Sequence, residues 1–126
     1  MFQDILKGAS ADGTGQVAEV RDFMNCSILL STSGNASGTV LIQGSLSEKE
    51  PDFSSSPSAT NPWDYIAVYD YSNPNTVITG PTGISASGSD IVKNLLVNVD
   101  GISWLNCLVT SYSAGEFNAT FVGYSN

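Results

Sequence analysis

The residues able to do chemistry in this 126-residue chain are few, and one type is missing. Histidine is absent, which removes the commonest general base, the usual zinc ligand and the partner of a nucleophilic serine or cysteine. Carboxylate-pair catalysis would fall to Asp64 and Asp70 in "WDYIAVYD". Six residues apart on an extended strand, they stand roughly 20 Å from each other. Glycosidase carboxylates are separated by about 5 to 9.5 Å, so these two read as strand-end carboxylates. Glu48, Glu50 and Asp52 offer oxygen ligands, but without the glycine-punctuated spacing of a calcium loop. The stretch "TGPTGISASGSD" has neither a lysine nor a following helix to cradle a phosphate. Cys26 and Cys107, the only cysteines, read as buried free thiols acting as small hydrophobes. No catalytic residues, no cofactor and no metal are expected, and the chain is not expected to be an enzyme.

What remains is an aromatic set. Read with period two, residues 63–71 put Trp63, Tyr65, Tyr69 and Tyr71 on one face, with Ile66 and Val68 on the other. Ile66 and Val68 suit a core, so the aromatics point outwards and require a cover. Three covers are open: a loop of the same chain (47–62 or 80–90), another subunit, or a glycan stacked on the rings.

The elements that must carry these residues are short and β-rich. Apolar runs at about 16–21, 24–33, 38–46, 63–71, 76–79, 91–99, 102–111 and 116–124 are separated by turn residues, and no long helical period occurs. Asp100-Gly101 predicts a tight hairpin, and Ser113-Ala114-Gly115 a slightly longer one. Inward faces are expected from Ile28 with Leu30, Val40 with Ile42, Leu95 with Val97, Leu105 with Cys107 and Val109, and Phe117 with Ala119 and Phe121. The fold class expected is all-β, a single antiparallel two-sheet sandwich, best matched by an eight-stranded jelly roll over residues 16–126. Residues 1–15 combine Phe2, Ile5 and Leu6 with a Gly/Ala/Ser/Asp run. They predict a flexible N-terminal arm that docks these three side chains on a neighbouring molecule.

Composition narrows the partners. Twelve acidic residues against Lys7, Arg21, Lys49 and Lys93 give a net charge of −8. That excludes the clustered cations on which nucleic-acid binding depends. No run approaches the roughly 20 apolar residues of a membrane span, and "MFQDILKGAS" lacks the pattern of a signal peptide. Synthesis in a host cytoplasm is expected, with the sequons at Asn25, Asn35 and Asn118 occurring by chance. Charged residues are only 13% of the chain, about half the usual share, which suits a surface covered by partners.

The C-terminal third, "LLVNVDGISWLNCLVTSYSAGEFNATFVGYSN", resembles a pattern of small β-sandwich virion proteins of tailed bacteriophages, of the capsid decoration (cement) type. The matching elements are Trp104 to Tyr112, Gly115 and Phe117 to Tyr124. "GTVLIQGSLS", with Val40 to Ser45, and "WDYIAVYD" are similar to its earlier half, extending the resemblance over 38–126. Such proteins often carry Arg in the final strands, where this chain has Asn106 and Leu108. The resemblance implies a virion part that binds the capsid exterior and reinforces subunit contacts. Its partner would be the major capsid protein or another virion protein, and it would form homo-oligomers such as dimers or trimers. A carbohydrate-binding or tail/fibre receptor-binding module is the alternative. The expected contact residues are Phe2, Ile5, Leu6, Trp63, Tyr65, Tyr69 and Tyr71.

Overall fold

A computed structural model describes residues 1–99 and 101–124, apart from the side chains of Pro74 and Asn75. Two strands of 21 residues organise it: β4 (Asn25–Ser45) and β10 (Trp104–Tyr124). They pair antiparallel from Trp104↔Ser45 to Tyr124↔Asn25. A straight strand of this length would reach about 70 Å, roughly twice the width of a domain this size. The pair therefore bends. Its register slips between Thr110 and Glu116, and Gly34, Asn35, Ser111 and Gly115 there take positive φ angles of 76°, 54°, 54° and 81°. Such bulges bend a strand and tighten its twist. At Gly115 a side chain has no room, because a Cβ would lie 2.6 Å from both Ala36 Cα and Ser33 O.

The bend divides the molecule into two layers. The first follows the order β1 (Phe2–Ala9), β10, β4, β9 (Val92–Val97), β6 (Val68–Asp70), β7 (Asn73–Ile78). In the second, β2 (Gly13–Thr14) and β3 (Ala18–Glu19) join the other half of β10. On its far side β5 (Asp64–Tyr65) and β8 (Ile84–Ser87) join the other half of β4. Both margins are tied. Tyr65 pairs with Gln43 in the second layer and Val68, three residues on, with Val97 in the first. At the other margin Gln16 N donates to Ile5 O at 2.8 Å while Gly15 N donates to Cys107 O at 2.9 Å. One buried cluster takes Ile28, Leu30, Leu95, Phe117 and Phe121 from the first layer with Val40, Ile42, Leu105 and Val109 from the second.

The all-β antiparallel expectation holds, with no helix among the described residues. The eight separate strands of a two-sheet jelly roll do not. Hydrogen bonding runs continuously through β4 and β10, linking ten strands into one bent sheet. Segments 24–33 and 38–46 are halves of one strand, as are 102–111 and 116–124. Ser113-Ala114-Gly115 is thus a bend where a hairpin was expected, because a bulge and a hairpin turn make the same demand for positive φ. Asp100 lies outside the described residues. The strands flanking it do not pair with each other: β9 lies beside β4 and β6, and β10 beside β4.

The predicted arm is also corrected. Residues 2–9 form the edge strand β1 on β10, with Phe2↔Val122 and Asp4↔Thr120 in register. A register shift between Asp4 and Leu6 lets two consecutive side chains turn inwards. Ile5 and Leu6 are 3% and 4% exposed and belong to the chain's own core, so they cannot dock on a neighbour. Phe2 alone points out, 72% exposed.

Candidate functional site

The side chains with chemical potential are kept apart. Asp64 Oδ1 accepts from the Tyr65 amide. Asp70 faces inwards, accepting from Ser72 and from Lys93 Nζ at 3.1 Å. The Ser72 amide and hydroxyl, with Lys93, hold its carboxyl below the ordinary range. Asp52 is held low by the Ser54 and Ser55 hydroxyls that cap it in its own loop. Among the described residues no three Cys, Asp or Glu side chains gather where a metal could bind. Cys26 and Cys107 are free and buried. Burial pushes both thiols up to about 12, which keeps them protonated and unreactive.

The aromatic run does not form one strand face. It breaks between β5 and β6 as the chain changes layer. Trp63 stays with the second layer, 7% exposed. The loop 47–62 covers it: Phe53 lies 5.9 Å away, Tyr65 packs edge-on at 5.1 Å, and the indole donates to Ser55 O at 2.9 Å. Beside Trp63, an open cleft of about 670 Å³ is lined by Leu46, Tyr65, Ile66 and Ile102 among others. Tyr69 and Tyr71 belong to the first layer and are 40% and 53% exposed.

Around those two tyrosines the register assembles a continuous surface. Phe2 stands opposite Val122, Val122 opposite Ser27, Ser27 opposite Leu96, Leu96 opposite Tyr69 and Tyr69 opposite Val77. Directly paired residues share a face, so this row crosses all six strands of the layer, about 24 Å at the usual strand spacing. The neighbouring row runs Asp4, Thr120, Leu29, Asn94, and Tyr71 N donates to Asn94 O. Tyr124 extends the surface at the end of β10, opposite Asn25. The other outward residues near the centre are Ser, Thr, Asn and Val. Charge sits at the margins, with Asp4 and Lys7 on the edge strand β1 and Glu116 on β10 beside the bend, and Thr120 donates to the Asp4 carboxylate.

Sequence reasoning found Phe2, Tyr69 and Tyr71 but missed Leu29, Leu96, Val77 and Tyr124. A signal was present in the doubled leucines Leu29-Leu30 and Leu95-Leu96. A strand covered on one side only shows apolar residues at alternate positions, so a doublet gives one leucine to each face.

These features define an antiparallel all-β protein with one sheet face that is apolar and uncharged at its centre. No family model matches the chain, and no curated protein does. Among solved structures, it is similar to that of the SPBc2 prophage-derived protein YomS. The TM-score is 0.62 at 11% identity, over 98% of this chain and 92% of that one. At this identity the likeness shows a shared fold.

Proposed function

We propose that this chain is a phage-derived structural protein of the virion, serving as a decoration (cement) protein that binds the capsid exterior and reinforces subunit contacts. One observation carries the reading. A chain of net charge −8 keeps the centre of a six-stranded face free of charge, with Asp4, Lys7 and Glu116 at its margins, and sets Phe2, Leu29, Leu96, Tyr69, Tyr71 and Tyr124 out on it. Uncharged surfaces rich in aromatics are what protein contacts use, and an apolar face of this breadth left bare invites aggregation. The prophage-derived origin printed for its structural neighbour supports the phage setting. So does the scatter of the potentially reactive groups, which favours a building block over a catalyst.

The carbohydrate-binding reading is served less well, because Trp63, the largest ring of the set, is covered by its own loop, which leaves Tyr69 and Tyr71 as the open rings of that stretch. The test is co-sedimentation with expanded capsids and, separately, with purified tails. Pelleting with capsids is expected. Pelleting with tails alone would replace decoration by a tail role, and pelleting with neither would remove the virion reading.

A further inference from the structure

We infer that the outer face of the six-stranded layer, uncharged at its centre, takes a second copy of this chain, so that the protein assembles as a face-to-face dimer. The inference rests on reading this face as a protein contact, but not on where in a virion the protein acts.

Charge comes first. Two chains of net charge −8 can approach closely only through surfaces that carry little of that charge, since like charges brought together without a counter-charge repel. The outer face carries charge only at its margins: Asp4, bonded by Thr120, and Lys7 on β1, and Glu116 beside the bend. Neither a basic nor an acidic partner would find a clustered pattern of opposite charge at its centre, which lies away from Asp4, Lys7 and Glu116. A surface as uncharged as the face itself fits, and a second copy supplies one.

Geometry agrees. The row Phe2, Val122, Ser27, Leu96, Tyr69, Val77 lies straight across the layer. A two-fold axis running along the strands between β4 and β9 sets Phe2 against Val77, Val122 against Tyr69 and Ser27 against Leu96 of the second copy. Every contact then includes an apolar side chain, and the strands of the two layers run nearly aligned, the usual arrangement of stacked sheets. The face is about 24 Å across and about 20 Å along the strands from Asn25 to Ser31. Two copies therefore bury at least about 1,000 Å², the threshold of a specific interface. Area does not fix affinity, and a Kd of micromolar order is the working value for the test.

Sedimentation velocity over a concentration series up to about 200 µM, well above that Kd, tests the inference on the intact chain. The wild type should shift from monomer to dimer. Leu96→Glu, at the centre of the row, and Val77→Lys, on the edge strand β7, should each weaken the association at least about tenfold. Circular dichroism and thermal melts check that each variant is folded, and Val77→Lys, on an exposed edge, keeps the test open if Leu96→Glu does not fold. A wild type that stays monomeric at the top concentration overturns the dimer, and so does a dimer that folded variants leave intact. Either result leaves capsid co-sedimentation free to succeed or fail by itself.

Discussion

Leu96 of β9 and Tyr69 of β6 stand directly opposite each other on the outer side of the sheet, both more than a third exposed. On the inner side of the same two strands, Val97 meets Val68, and both are buried. Side chains alternate across a strand, so a shift of one residue in this pairing would exchange the two sets. The buried pair and its neighbours Cys26 and Ile78 thus hold the exposed pair in place. The core of the first layer positions its contact face.

Because β1 is part of that layer, its loss should be felt by the whole fold. Ile5→Ala is expected to cost about 2–5 kcal/mol in urea unfolding, the range for truncating a buried isoleucine. Deleting residues 1–9 should cost more, since it also bares the β10 edge from Phe117 to Val122. Unchanged stability after the deletion would mean that β1 is not docked.

The bend in the long strands predicts a contrast between two glycines. Gly88 has φ of +80° with open space around its Cα. Gly88→Ala should therefore cost only the left-handed penalty, about 1–2 kcal/mol. Gly115→Ala carries the same penalty and also drives a methyl into Ala36 and the Ser33 carbonyl, adding an overpacking cost of about 1–3 kcal/mol. Comparing the two denaturation midpoints checks this. Equal effects would place the bend elsewhere.

Asp90 fastens the same bend. Its carboxylate accepts from the Ala36 amide at 3.0 Å and the Thr32 hydroxyl at 3.1 Å, and the Ala36 bond above all, then the Asn35 amide and the Thr32 hydroxyl, holds its carboxyl below the ordinary value of 3.8. A carboxyl with a depressed folded pKa contributes stability that is present above its unfolded pKa and lost as pH falls through the folded one. Asp90→Asn keeps an acceptor oxygen but removes the titration. The wild type should exceed this variant in stability at neutral pH, and the gap should close as pH falls below 3.8. A gap independent of pH would assign the effect to hydrogen bonding alone.

How much of this was legible in the sequence follows from what each signal constrains. Alternation of apolar and polar residues fixes the inner face locally, so Ile28, Leu30, Leu105, Val109, Phe117 and Phe121 were identified as core and are buried. A positive-φ Ser/Gly/Asn cluster fixes only that the backbone turns. It does not distinguish a hairpin from a bulged strand running on, which is why β4 and β10 were each read as two strands. Ile5-Leu6 in β1 breaks the period-two rule through a bulge that shows only when β10 lies beside it. The contact face is a product of cross-strand register among six strands, and five of its six central residues come from segments far apart in the chain. Tyr69 and Tyr71 could be named early because they flank Asp70 in one short segment whose inner residue, Val68, is evident. Leu96 and Val77 gain meaning only from their neighbours.

Hydroxyl-radical footprinting of side chains tests the central claim, that the outer face of the six-stranded layer is covered by protein in the working assembly. Labelling would be read at low concentration, at high concentration and on expanded capsids, at Tyr69, Tyr71, Leu96, Tyr124 and Phe2, all exposed in the single chain, with Leu46 of the opposite layer, 71% exposed, as the reference. The account predicts that the five lose labelling together in the concentrated or capsid-bound protein while they remain reactive in the dilute one. Equal labelling of all five under every condition would contradict it.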